Sequence, residues 1–80
     1  MGFGIMVVTV MGTRRLPSEA TPNSRYDLYR PGQGRVQSRW YGHDGRATRN
    51  RDYRHGGTGH TFPHDHVWDW SSGIGERGNH

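Results

Sequence analysis

The stretch RVQSRWYGHDGRATRNRDYR, residues 35–54, decides the fold that we expect for this chain. Asp44 and Gly45 stand between two runs of residues that suit β-strands, a pattern typical of a hairpin closed by a two-residue type I′ turn. The register set by this turn pairs His43 with Arg46, Trp40 with Arg49, Gln37 with Asp52 and Val36 with Tyr53.

The two faces of this hairpin differ in chemistry. One is apolar and aromatic, and we expect it to face the core, with the Arg49 guanidinium on the Trp40 ring as a cation–π pair. The other is basic, polar and aromatic, and we expect it to face solvent. The core face carries Val36, Trp40, Ala47 and Tyr53; the solvent face carries Arg35, Gln37, Arg39, Tyr41, Asn50, Asp52 and Arg54.

The composition indicates a small basic protein with a thin aromatic core. The chain has 80 residues, a formal net charge of +4, and only Arg among its 11 basic residues. The planar guanidinium suits phosphate, so nucleic acid is a plausible partner, although an all-Arg composition can also reflect the base composition of a genome. The chain has no Cys, which excludes disulfides and thiolate metal sites.

The N-terminal part of the chain differs from the rest. Its apolar run ends at Met11 and is far shorter than the ~20 residues that span a bilayer; no basic segment precedes it, so we expect neither a targeting signal nor a membrane partner. The polar stretch that follows contains two Pro and is typical of a linker. We therefore divide the chain into 1–24, an apolar start and linker that need not belong to the fold, 25–71, a small basic domain, and 72–80, a flexible Gly-rich tail.

The predicted fold class is α+β or mostly β: a small single domain built on the antiparallel hairpin at 35–54. A His- and Trp-rich segment, HGGTGHTFPHDHVWDW at 55–70, packs on this hairpin. We favour extended structure for 60–66 and leave 67–72 open, because Pro63 and Gly73 also suit the start and stop of a short helix. If the segment is extended, His60, Phe62, His64, His66, Trp68 and Trp70 share one side. The predicted core consists of Trp40, Tyr53, Phe62 and Trp68.

Three roles compete for the histidines. The first is metal binding, in which His64 and His66 coordinate zinc or another divalent metal with His60, His55 or Asp52. The spacing matches no standard zinc pattern, so our first expectation is that no cofactor is needed. The second role is structural, with His hydrogen bonds and Trp packing closing a small fold.

The third role is metal-independent hydrolysis of a phosphodiester in an RNase-like manner, which needs a base, an acid and cations around the phosphate. The candidate catalytic residues are His55, His60, His64 and His66, with Asp52 to orient a histidine. The candidate nucleic-acid-binding residues are Arg35, Arg39, Arg54 and Tyr41. A protein that binds nucleic acid without cleaving it is the alternative, and it predicts steep salt dependence.

The combination RDYxHGG followed by HxFPHxHxWDW resembles short C-terminal domains of prophage-associated and toxin-type bacterial proteins. The resemblance covers residues 26–70, and its motif positions are Asp52, Tyr53, His55, His60, Pro63, His64, His66, Trp68 and Asp69. It implies an association with mobile elements, a nuclease role, and an immunity protein or a larger phage or toxin polypeptide as partner. The non-catalytic alternative is a phage accessory or structural protein that holds nucleic acid on its arginines. The protein would then act in the cytoplasm or be secreted as part of a larger system. The substrate and the oligomeric state are left open.

Overall fold

The computed structural model describes residues 4–12, 14–53 and 64–77. Six strands in these ranges form one sheet in chain order, and the same ranges contain no helix, which confirms the mostly β alternative of the predicted fold class. β1 is parallel to β2, and every other neighbouring pair is antiparallel. The strands are β1 (Met6–Met11), β2 (Ser24–Arg30), β3 (Gly34–Tyr41), β4 (Ala47–Asp52), β5 (His64–Asp69) and β6 (Glu76–Arg77).

The β3–β4 hairpin has the predicted register along most of its length. Trp40 pairs with Arg49 and Gln37 with Asp52, and the Tyr53 amide donates to the Val36 carbonyl at 2.9 Å. These pairings follow from the alternation on the two strands, because a slip of one residue would move every side chain to the other face.

The turn of this hairpin is not the predicted type I′ turn. The Gly42 carbonyl accepts from the Gly45 amide at 3.0 Å and the Gly42 amide donates to the Arg46 carbonyl at 2.8 Å, so three residues form the loop and Gly42, not His43, faces Arg46. Gly45 has a φ of 82°, the left-handed conformation that ends such loops. A register shift between Trp40 and Tyr41 absorbs the extra residue and leaves the pairing further down unchanged.

The segment between β1 and β2 crosses one face of the sheet, because parallel neighbours need a connection that returns to the starting end. Its Leu16 is buried and clusters with Leu28 and Val36. Its backbone also docks on the hairpin, where the Ser18 carbonyl accepts from the Ala47 amide at 2.9 Å. The stretch that looked like a linker therefore supplies part of the core in the structure.

This connection explains why the predicted core is wrong at Trp40, Tyr53 and Trp68. Trp40 and Tyr53 are only half-buried. Val36 and Ala47 are buried as predicted, but on the opposite face, together with Tyr41. Trp68 is also half-buried, and Phe62 lies outside the described residues. The β1–β2 connection covers the face that was predicted to face solvent. The register shift between Trp40 and Tyr41 turns Ala47 toward this covered face.

β5 adds one strand to the hairpin and confirms extended structure for residues 64–66. The strand continues through Asp69, so the helical alternative does not occur in 64–69. Beyond it, Trp70 stacks on Trp68 with ring centroids 6.1 Å apart and donates its indole N–H to the Ala47 carbonyl at 2.7 Å. The guanidinium of Arg46 covers Trp70 at 4.8 Å. The two tryptophans thus fix the end of β5 against the start of β4.

Candidate nucleic-acid interface

Cross-strand neighbours share a face, so the register defines the two faces of the sheet. The face that we call the arginine face includes Arg25, Arg35, Trp40, Arg49, Arg51 and Tyr53 with the carboxylates Asp27, Asp65, Asp69 and Glu76. The face that we call the packed face consists of Tyr26, Leu28, Gln37, Arg39, Tyr41, Asn50, Asp52, His66 and Trp68.

Two arginines of the arginine face lie flat on aromatic rings. The guanidinium of Arg49 is 4.3 Å from the centroid of Trp40, which confirms the predicted cation–π pair, and that of Arg35 is 4.4 Å from the centroid of Tyr53. Arg49 is exposed, and the side chain of Arg35 is 40% exposed. The result is two platforms on the β3–β4 hairpin, each with a ring below and a cation above, and with the Ser38–Arg51 pair between them.

A buried carboxylate fixes the middle of the arginine face. Asp27 is 3% exposed, accepts from the Ser38 hydroxyl at 2.5 Å and pairs with Arg25 Nε at 3.0 Å. The Ser38 hydroxyl also lies 3.1 Å from the Tyr53 hydroxyl. Arg35 Nη1 stands further off, 3.9 Å from the Asp27 carboxylate. Asp27 therefore anchors Arg25 and, through Ser38, the Tyr53 ring.

The second carboxylate of this face is exposed. Asp65 accepts two hydrogen bonds from Arg51, from Nε at 2.7 Å and from Nη2 at 3.1 Å. These hydrogen bonds and the positive charge of Arg51 lower the pKa of Asp65. Asp69 and its cross-strand partner Glu76 add two exposed carboxylates at the β5–β6 end of this face. Four arginines stand against four carboxylates, so the arginine face as a whole carries no net charge.

The packed face holds two residues that the sequence predicted to bind nucleic acid. Arg39 is 6% exposed, and its Nη1 donates to the Leu16 carbonyl at 2.6 Å while its guanidinium covers Trp68 at 4.7 Å. Tyr41 is 4% exposed and donates to the Pro17 carbonyl at 2.5 Å. Burial raises the pKa of Tyr41 to about 12. The expected surface position of both side chains is wrong, because the β1–β2 connection covers them.

A polar cluster around Asp52 joins β3, β4 and β5 on the packed face. One Asp52 oxygen accepts from Gln37 Nε2 at 2.7 Å and Asn50 Nδ2 at 3.2 Å, and the other lies 3.2 Å from His66 Nε2. Asn50 accepts in turn from the Trp68 indole N–H at 2.7 Å. Asp52 and Asn50 are buried, and the side chain of His66 is 14% exposed. Buried polar groups need such partners, so the cluster is a structural requirement of a polar core.

The structure brings together only part of the predicted catalytic set. Asp52 and His66 are in contact, and the backbone of His64 pairs with Asp52 in the register. The side chain of His64 lies outside the description, as do His55, His60 and Arg54. Arg35 lies on the arginine face, opposite to His66.

The described residues form neither a metal-ligand cluster nor a membrane-spanning helix. Ranges 4–12, 14–53 and 64–77 contain no group of three or more His, Cys, Asp or Glu side chains that could hold a metal ion. Within the same ranges no helix is long and apolar enough to cross a membrane.

Sequence reasoning missed three arginines of the arginine face. The predicted binding set omits Arg49 and Arg51 because their side of the hairpin was expected to face the core, and it omits Arg25 because the hairpin pattern gives no face to its strand. A signal was present: Arg49 and Arg51 alternate with Asn50 and Asp52, so one face of β4 carries two cations and the other carries two groups that can hydrogen-bond each other. The side that can satisfy its own polar groups is the better candidate for burial.

No family model matches this chain, and no curated protein or solved structure was found to be similar to it.

Proposed function

We propose that this protein binds single-stranded nucleic acid on its arginine face. The observation that carries the proposal is the pair of Arg-on-aromatic platforms, Arg49 on Trp40 and Arg35 on Tyr53. Proteins that bind single strands combine cations that follow the phosphates with rings or guanidinium planes on which bases stack. Both kinds of group are present here on the same surface.

Two of the four arginines on this face are placed to contact an anionic ligand. Arg25 and Arg51 are held by carboxylates, so they contribute mainly to the shape of the surface. Arg49 and Arg35 lie on rings, and Arg35 Nη1 is 3.9 Å from the Asp27 carboxylate. These two guanidinium groups are the best placed to donate hydrogen bonds to phosphates or to stack on bases.

The shape of the face favours single strands over duplex. A sheet with short side-chain platforms offers flat contacts to unstacked bases, which a duplex keeps inside its helix. Duplex recognition relies on an element that enters a groove, usually a helix or a β-ribbon. The described residues contain no helix, and the arginine face lies on the middle strands of the sheet.

The test is fluorescence anisotropy with labelled single-stranded RNA and DNA and with a duplex of the same sequence. Arg49→Ala and Arg46→Ala are a matched pair, because both remove one charge and one Arg–Trp stack, but Arg46 lies on Trp70, away from the arginine face. We expect Arg49→Ala to weaken single-strand binding by about tenfold and to reduce the salt slope by about 0.7. Arg46→Ala should change the affinity little. Equal effects of both variants, or preferred binding of the duplex, would contradict the proposal.

A second candidate function is phosphodiester cleavage on the packed face, separate from the strand on the arginine face, and the contact between His66 and Asp52 favours it. A histidine oriented by a buried carboxylate is an arrangement that general bases use. The nuclease role implied by the resemblance would use this pair with the histidines of residues 55–64. We expect His66→Ala to abolish any turnover in the presence of a chelator and to leave single-strand affinity unchanged. Turnover that survives in this variant would exclude His66 as the base.

A further inference from the structure

β1 lies at one edge of the sheet, and no described strand pairs with its outer side. The Gly12 amide donates to the Tyr29 carbonyl at 3.0 Å. In a parallel ladder every second residue directs its backbone groups to the same neighbour. The even-numbered residues of β1 therefore direct their N–H and C=O groups to β2, while Val7, Thr9 and Met11 direct theirs to the open side.

This edge lacks the features that usually protect an edge strand. Natural edges are short, charged, bulged or interrupted by Pro. β1 reads MVVTVM without a charge or a Pro, and its register with β2 is unbroken over six residues. The opposite edge, β6, has only two residues, Glu76 and Arg77, and both are charged. One sheet thus has a protected edge and an unprotected one.

The surface of β1 suits a second copy of the same chain. Met6 is 56% exposed, Val7 48% and Met11 67%. Residues 4–12 carry no charge, whereas the chain as a whole carries +4. Two copies can therefore approach along β1 without placing arginines opposite each other. Elsewhere on this basic protein, such an approach would cost electrostatic repulsion.

We infer that β1 pairs antiparallel with β1 of a second copy about a two-fold axis perpendicular to the sheet. A two-fold axis places one residue opposite its own copy. The two registers that pair most of β1 have Thr9 opposite the second Thr9, or Val8 opposite the second Val8. The axis keeps both arginine faces on the same side of the extended sheet. If the proposed function holds, the dimer presents two binding surfaces on the same side of the sheet, with the uncharged β1 pair between them.

The first test is the solution mass, measured by sedimentation equilibrium. Thr9→Pro removes an amide that points to the open side and leaves the ladder to β2 intact. Thr9→Lys adds a charge to the edge, and Ser71→Lys adds the same charge on an exposed turn away from it. We expect dimers for the parent chain and Ser71→Lys, and monomers for both Thr9 variants. A monomeric parent chain, a dimer that both Thr9 variants retain, or unlimited aggregation would overturn the inference.

The second test is disulfide cross-linking, which is direct because the chain has no Cys. Facing residues in an antiparallel pair have Cα atoms about 4.5 or 5.5 Å apart, within the range that a disulfide bridges. We expect either Thr9→Cys or Val8→Cys to form a covalent dimer rapidly, depending on the register, and Ser71→Cys to remain monomeric. Slow cross-linking of both edge variants, no faster than Ser71→Cys, would contradict the pairing.

The dimer and the proposed function can be tested independently of each other. Thr9→Pro should change the mass but still bind an oligonucleotide that one arginine face accommodates, with weaker binding only for a strand long enough to reach two faces. Arg49→Ala should lose affinity and remain a dimer. Loss of short-strand binding in Thr9→Pro, with a normal unfolding curve, would show that one copy cannot form the site and would contradict the surface described here.

Discussion

The two faces of the sheet use the same residue types for different purposes. On the packed face, Arg39 donates to carbonyls of the chain itself and Asp52 accepts from three neighbouring side chains. On the arginine face, Arg49 and Arg35 lie on aromatic rings with their guanidinium groups accessible. An arginine is thus a structural residue or a binding candidate according to whether the chain supplies its hydrogen-bond acceptors.

The comparison of Arg39 with Arg49 tests this difference most strongly. Arg39→Ala removes charge-assisted hydrogen bonds to buried carbonyls and the cation that covers Trp68, so we expect a loss of about 3 kcal/mol in the free energy of unfolding. Arg49→Ala removes only an exposed cation–π contact, and its loss should be about 0.5–1 kcal/mol. Urea unfolding of both variants measures the difference. Equal losses would mean that the two faces do not differ in this way.

The pH dependence of stability at the alkaline end probes the packed face through Tyr41. Burial raises its pKa from 10.0 to about 12. The folded protein therefore holds this proton more tightly than the unfolded chain does, and the stability gained is complete below pH 10 and lost as the pH rises through 12. We expect urea midpoints of the parent chain to fall over this interval.

Tyr41→Phe is the matched control for that experiment. It keeps the ring that packs edge-on against Tyr26 at 5.1 Å and removes the ionisable hydroxyl. The variant should be less stable near neutral pH, because the Pro17 carbonyl loses its donor. Its stability should also decline less between pH 10 and 12. A decline as steep as that of the parent chain would assign the effect to another group.

The smallest expected effect is at Asp65 on the arginine face. Its hydrogen bonds from Arg51 lower its pKa below 3.8, so the stability that the pair contributes is present above pH 3.8 and is lost as the pH falls through the lowered pKa. Both side chains are well exposed, and such pairs contribute little. We expect Asp65→Asn to shift the urea midpoint slightly at neutral pH and not at all at strongly acid pH. A large shift at neutral pH would show that the arginine face also contributes substantially to the stability of the fold.

The sequence predicted the hairpin register because the alternation on β3 and β4 constrains it over many residues. It did not predict which face is buried. That choice depends on the β1–β2 connection, whose single Leu16 gives no periodic signal and whose contacts are made largely by backbone carbonyls. A local pattern can show that two faces differ, but the segment that covers one of them comes from elsewhere in the chain.

The candidate site shows the same division. Sequence reasoning correctly placed the Arg49–Trp40 stack, because both residues belong to one hairpin and face each other. It misplaced Arg39 and Tyr41, because their acceptors, the Leu16 and Pro17 carbonyls, are more than 20 residues away. Polar residues whose partners are distant in the chain look like surface residues until those partners are known.

The three tryptophans offer the most direct test of the central claim. This claim is that the arginine face binds single-stranded nucleic acid and the packed face stabilises the fold. Each indole N–H gives its own NMR signal, which Trp→Phe variants assign. On addition of a single-stranded oligonucleotide we expect the Trp40 signal to shift strongly, while the signals of Trp68 and Trp70, bonded to Asn50 and the Ala47 carbonyl, stay in place. Shifts confined to Trp68 and Trp70, with Trp40 unchanged, would contradict the account.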